Sequence, residues 1–216
     1  MAQLLYLFKR TRPDLSPAVP FLTTRVSQPD EDDWKKLCKT IQYLENTLEF
    51  ALTLAADKTK PPRWWIDASY AVHPNCRSHT GGTFTLGKGA IFTISSKQKI
   101  NTKSSTEAKL VAVDDCIPHM IWVNYFLYEQ GYHHPTTIVY QDNRSAILLE
   151  QNGTLSSTRR TKHINVRYYF IKDKIDSKEI VVKWCPTDQM IADFHTKPLT
   201  GDKFRHFRKN ILNLKN

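Results

Sequence analysis

A proline pair, Pro61-Pro62, divides this chain, and the order of patterns beyond it constrains the fold more than any other feature of the sequence. Neither proline can donate a backbone hydrogen bond, and each biases the residue before it away from the helical region. No regular element is therefore expected to run across them. Past the pair, residues 63–72 read as a strand. Gly81-Gly82 marks a turn region, and residues 83–86 and 89–95 read as a hairpin about Gly87. Residues 102–105 precede a long helical pattern whose stripe is Leu110, Val113, Ile117 and Ile121. Pro118 is expected to kink that helix or to end its first half. Residues 136–141 form a β-branched strand that leads directly into a helix start at Asp142-Asn143. A basic helix over 161–175, a strand over 180–184, a short helix over 187–196 and an amphipathic helix over 202–213 complete the series. The order β-β-β-α-β-α-α-β-α predicts an α/β domain with a mixed sheet flanked by helices.

The first 60 residues differ. Pro13, Pro17, Pro20 and Pro29 break them into short pieces, and Met1 to Arg10 reads as a helix, since it lacks the flanks of a signal peptide. Asp30 to Asp33 open a second helix, which their charge suits electrostatically. Trp34, Leu37, Ile41 and Leu44 recur along it at helical spacing, and residues 48–54 are a candidate strand. The expected division is a helical segment over 1–60 and an α/β domain over 61–216.

Four cysteines, at 38, 76, 116 and 185, stand singly. That distribution argues against a disulfide framework and for reduced thiols in an intracellular protein. Cys76 and His79 have zinc-like spacing but no second pair to complete a site. No apolar run is long enough to span a bilayer, so no membrane partner is expected. The formal net charge of +10 favours polyanionic partners, nucleic acid first, over a merely solvated basic surface.

Four acids are candidates for chemistry. Asp67 lies in Trp64-Trp65-Ile66-Asp67-Ala68-Ser69, where an ionised carboxylate inside an apolar strand is costly unless paired or bound to metal; the alternative is an acid capping a turn at a strand end. Glu107 follows Ser104 by three residues, the spacing of a capping box, and that local role weighs at least as much as a ligand role. Asp142 stands where a buried strand meets a helix, a place that suits either a ligand site or a plain N-cap. Asp193, read locally, is an exposed helical acid. Asp114-Asp115 lie within a helical pattern and read as a solvated helix face.

Taken in order, Asp67-Ala68-Ser69, Ser104-Ser105-Thr106-Glu107-Ala108, Tyr140-Gln141-Asp142-Asn143, Arg160-Thr161-Lys162-His163-Ile164 and Ala192-Asp193 with Thr196-Lys197-Pro198-Leu199 resemble the ribonuclease H segment of copia-type retrotransposon polyproteins. The likeness runs from about residue 60 to 213. Leu4-Leu5-Tyr6-Leu7, Arg10-Thr11-Arg12-Pro13-Asp14 and the helix through Trp34 resemble the tail of the reverse transcriptase that precedes that segment. The resemblance implies a ribonuclease H-like mixed five-stranded sheet with an N-terminal helical appendage. It also implies that Asp67, Glu107, Asp142 and Asp193 hold two Mg2+ ions, with Mn2+ as a substitute, and that the chain hydrolyses the RNA strand of an RNA–DNA hybrid. Two such ions about 4 Å apart would stabilise the attacking and leaving oxygens. A polymerase domain of the parent polyprotein is the implied protein partner. A remnant that binds hybrid without cutting it is the alternative.

Two positions depart from the family pattern. Lys109 stands where a second acid is common, with little loss expected, and His195 stands where an apolar or aromatic residue is common. The plain reading of His195 is a partly exposed bystander, and proton shuttling near neutrality is the sharper one. For the nucleic-acid surface, Arg159, Arg160, Lys162, His163 and Arg167 form a basic strip interleaved with Tyr168 and Tyr169, and Gln98 and Lys99 precede the Glu107 helix. Such a strip can neutralise backbone phosphates, and hybrid duplexes are read by shape, phosphates and the 2′-hydroxyl.

Overall fold

The computed structural model describes residues 1–133, 136–152 and 165–215. It opens with helix α1 (Ala2–Arg10), a 3-10 turn (Pro13–Leu15), α2 (Val19–Thr23) and α3 (Glu31–Glu45). The acids at the start of α3 act as expected. Asp30 accepts from the Asp33 backbone, and Asp33 accepts in return from that of Asp30, a reciprocal cap. Residues 48–54 do not form a strand; the extended backbone is the two-residue β1 (Ala55–Ala56).

β2 (Arg63–Ser69), β3 (His79–Thr85), β4 (Gly87–Lys88) and β5 (Phe92–Lys97) follow. Next come α4 (Ser105–Glu129), β6 (Thr137–Gln141), α5 (Arg144–Asn152), α6 (Asn165–Asp176), β7 (Ile180–Trp184), α7 (Asp193–Thr196) and α8 (Gly201–Leu212). Five strands form one sheet in the order β5-β3-β2-β6-β7, while β1 and β4 pair separately. β2 and β5 flank β3 antiparallel, and β6 runs parallel to both β2 and β7. The expected α/β architecture, a mixed five-stranded sheet with flanking helices and an N-terminal helical region, is therefore the one observed.

Side chains of a strand alternate between the two faces of its sheet, and here both faces are covered. Trp64 and Ile66 pack with Ala112, Cys116 and Ile117 of α4 in the main core. Trp65 points to the other face, against Cys185, Met190 and Ala192. Phe207 and Ile211 of α8 pack with Phe194 of α7 and Ala90 in a further cluster.

Three local expectations are corrected. β2 stops at Ser69, because Ala71 takes a left-handed φ of 52°, so Asp67 stands two residues from the strand end. Gly81-Gly82 is no turn but the middle of β3, a strand buried along its whole length. Pro118 neither ends nor divides α4, which continues to Glu129; Cys116, Ile117 and Met120 around it are fully buried, and burying that face offsets the lost hydrogen bond.

The N-terminal segment lies against the sheet domain. Thr53 donates its backbone N–H to Leu212 O at 2.9 Å, and Asp57 donates its own to Leu86 O at 2.8 Å. Within the segment, buried Arg12 pairs with Asp14 at 2.7 Å, and Tyr43 donates to the same carboxylate at 2.6 Å. Among the described residues no helix is long and apolar enough to cross a membrane.

Candidate metal centre

Asp67, Asp142 and Asp193 each present a carboxylate oxygen, all within 4.8 Å of one another. Three separate elements bring them together. β2 carries Asp67 near its C-terminal end, Asp142 follows β6, and Asp193 opens α7. The local alternative for Asp142 falls to its neighbour: Asn143 Oδ1 accepts from the backbone N–H groups of Ser145 and Ala146 at 2.9 and 3.1 Å and so caps α5. Asp142 is thereby left to face the centre. Asp193, read in isolation as exposed, is fully buried; what that reading missed is the pair of cations it meets.

Those cations are Lys197, at 2.6 Å from Asp193, and Lys203 of α8, at 3.0 Å. Thr196 donates to Asp67 at 2.6 Å. The Lys109 ammonium bridges Asp67 and Asp142, the latter at 2.7 Å. Burial opposes the charged form of Asp67, yet Lys109 and Lys197 outweigh it and hold the carboxyl below its ordinary pKa. Burial likewise works against the Lys109 ammonium, and Asp67 and Asp142 overcome it, so that its pKa is raised. The i,i+4 spacing of Asp193 and Lys197 was a readable sign of their pairing. For Lys109 the signal was the departure from the family's acid, and its ammonium lies between two of the candidate ligands.

Glu107 stands apart from the triplet. Its Oε2 accepts from the Lys103 backbone at 2.7 Å, while its own N–H bonds to Ser104 Oγ at 3.2 Å, which is helix-capping geometry. His195 is buried, not a half-exposed bystander. Its Nδ1 lies 2.7 Å from Ser16 Oγ and its Nε2 2.7 Å from Thr83 Oγ1, so the ring ties the N-terminal segment to β3. Burial first, then His79 and Lys9, push its pKa down to about 3, well below the neutral range in which a proton shuttle would titrate.

The expected nucleic-acid residues divide. Lys99 is exposed. Gln98 is buried and turned inward, donating to Thr80 Oγ1 and Ala108 O at 3.1 and 2.9 Å, so its place is in the packing of α4 against β3 and not on the surface. Arg167 is ion-paired with Asp114 and Asp115, which are therefore not a purely solvated face. Tyr168 is buried and Tyr169 exposed. Arg159, Arg160, Lys162 and His163 lie outside the described residues.

Three oxygen donors at this spacing suit a hard divalent cation such as Mg2+, which is bound through a few carboxylates and keeps several waters. No family model matches the chain. It is similar to the retrovirus-related Pol polyprotein from transposon TNT 1-94 of Nicotiana tabacum, with 33% identity over 94% of this chain and 15% of that protein. The Pol polyprotein from transposon RE2 of Arabidopsis thaliana is 33% identical over 93% of this chain and 14% of its own length. The chain thus spans about one seventh of these curated relatives. Among solved structures, LC11-RNase H1, isolated from compost, is 14% identical with a TM-score of 0.45, covering 62% of this chain and 90% of that one.

Proposed function

Because the chain is homologous to retrovirus-related Pol polyproteins of copia-type transposons along nearly its whole length, we propose that it is a ribonuclease H that hydrolyses the RNA strand of RNA–DNA hybrids during reverse transcription. The observation that carries this reading is the convergence of Asp67, Asp142 and Asp193 oxygens within 4.8 Å of one another.

In this reading the three aspartates hold a divalent ion, Mg2+ or in its stead Mn2+, and Glu107 at the head of α4 joins them as ligand to a second. Bound there, the ions supply Lewis acidity and neutralise charge at the scissile phosphate. The protein's own part is placement. Thr196 fixes the Asp67 carboxylate by its hydrogen bond, and the Asn143 cap fixes the turn that presents Asp142. Lys197 and Lys203 pair with Asp193 inside the fold. The exposed Lys99 and the basic strip through Arg159, Arg160, Lys162, His163 and Arg167 are assigned to the hybrid backbone, which the net charge of +10 attracts. Residues 1–60 are assigned as the tail of the reverse transcriptase and 61–216 as the nuclease, with a polymerase domain as partner.

One observation favours the alternative, a remnant that binds hybrid without cutting it: lysine ammonium groups contact all three aspartates. Cleavage of a labelled hybrid with Mg2+ separates the two. Wild type is expected to cut, and Asp67→Asn and Asp142→Asn to lose activity by orders of magnitude. Equal rates in all three would refute the site, and tight hybrid binding without metal-dependent turnover would select the remnant.

A further inference from the structure

Lys109 is the one group in the centre that the metal reading leaves without a role. It sits five residues into α4, and its side chain is only 11% exposed. Its ammonium contacts Asp67 and Asp142, two of the three carboxylates whose oxygens converge. An ammonium and a divalent ion make the same demand on those oxygens, and both cannot sit between the same pair. Next to this centre is a second anomaly. Glu150 of α5 is completely buried, and neither of its carboxylate oxygens has a hydrogen-bond partner among the described residues. Burial pushes its pKa up to about 8, against the lowering pull of Lys109. A buried acid without a hydrogen-bond partner is expensive, and more so once ionised, so its persistence within the electrostatic reach of a long, flexible lysine calls for an explanation.

We propose that Lys109 is a tethered cation occupying the place of a divalent ion between Asp67 and Asp142, and that an arriving ion displaces its ammonium toward Glu150. The proposal rests on the metal reading above and deepens it, making ion binding a competition with a side chain. In the ion-free chain Lys109 suppresses repulsion between the aspartates. In the loaded chain the nearing ammonium lets Glu150 release its proton to solvent and pair with the displaced charge, so neither state leaves an ammonium buried without a partner. The outcome is a centre that is stable without metal and that discriminates against weakly held ions.

The test is Mn2+ and Mg2+ binding by calorimetry on the full chain, comparing wild type with Lys109→Met and Glu150→Gln. Lys109→Met is expected to bind on the order of tenfold more tightly, a coupling of ordinary size for linked sites, while Glu150→Gln is expected to bind more weakly than wild type. Should Lys109→Met fail to fold, the wild-type chain still decides the matter. Its Lys109 ammonium resonance, identified by its loss in Lys109→Arg, is expected to shift on Mg2+ titration in step with binding. Wild-type affinity in Lys109→Met, or a resonance that stays unmoved while metal binds, overturns the displacement and leaves the metal reading standing. Unchanged affinity in Glu150→Gln overturns the role of Glu150. Absence of binding in wild type and Lys109→Met alike overturns the metal reading and the proposal together.

Discussion

Gly81 and Gly82 are neighbours in β3 that face opposite ways, and adding one methyl group to each should give opposite results. A Cβ at Gly81 would stand 2.4 Å from Thr196 Cγ2 and 3.0 Å from both Ala192 O and His195 Cβ. Ordinary carbon–carbon contact is about 3.5–4.0 Å, so the α7 segment has to withdraw by about 1 Å or more. Thr196 cannot simply rotate, because the same χ1 that places Cγ2 also places the Oγ1 that donates to Asp67. Overpacking of this kind costs about 1–3 kcal/mol, offset by about 0.5–1 kcal/mol for removing a glycine from a strand interior. Gly81→Ala should therefore lose up to about 2.5 kcal/mol of stability and carry Asp193 away from Asp67 and Asp142. A misplacement of that size can cost about a hundredfold in rate. At Gly82 the added carbon meets Cys116 Sγ at 3.4 Å, Trp64 Cζ3 at 3.6 Å and Ile94 Cβ at 3.7 Å, all ordinary contacts, so Gly82→Ala should match or slightly exceed wild-type stability. Urea denaturation reads the first difference; Mn2+ calorimetry and hybrid cleavage read the second. If Gly81→Ala equals Gly82→Ala in stability and in metal affinity, the close approach of α7 to β3 is not what positions Asp193.

Three further outcomes are expected. Burial first, then His73, push the His79 pKa down to about 4; against an unfolded value near 6.5 its contribution is complete above about pH 6.5 and is lost as the pH falls toward 4. At pH 5 the loss is about 2 kcal/mol, so urea midpoints should drop from pH 7.5 to pH 5 by less in His79→Gln than in wild type. Ser16→Ala strips buried His195 Nδ1 of its partner and should cost about 1–3 kcal/mol in the same assay. Asn143→Ala removes the α5 cap and should cost about 0.5–2 kcal/mol, with weaker Mn2+ binding as the turn carrying Asp142 loosens.

Much of the frame was legible because local chemistry decided it. The β-branched run at 180–184 became β7, and the acids at 30–33 capped α3. The misreadings share one cause, in that distant residues overruled local preference. Gly81-Gly82 reads as a turn until helices close on both sides of β3, where only a missing side chain admits α7. Pro118 reads as a break until the buried face of α4 holds the helix through it. Of the candidate site, Asp67 stood out by the cost of its apolar strand. Asp142 was ambiguous until Asn143 took the cap, and Asp193 carried only its i,i+4 spacing to Lys197, its second lysine coming from α8. The contacts of Lys109 and the Ser16–His195 contact were hidden for the same reason, each depending on partners far along the chain.

The imidazole of His195 bonds to Ser16 across a separation of 179 positions, and Thr196 bonds to Asp67 across 129. Contacts closing such long loops are slow to form, because the chain loses that freedom before the contacts repay it. The meander of β2, β3 and β5 with α4 can assemble early from near neighbours, bringing Asp67 and Lys109 together while Asp193 is still absent. The aspartate cluster is then among the last parts of the fold to be completed. Mg2+ in a refolding mixture should leave the early kinetic phases unchanged and act only on the final one, when α7 docks.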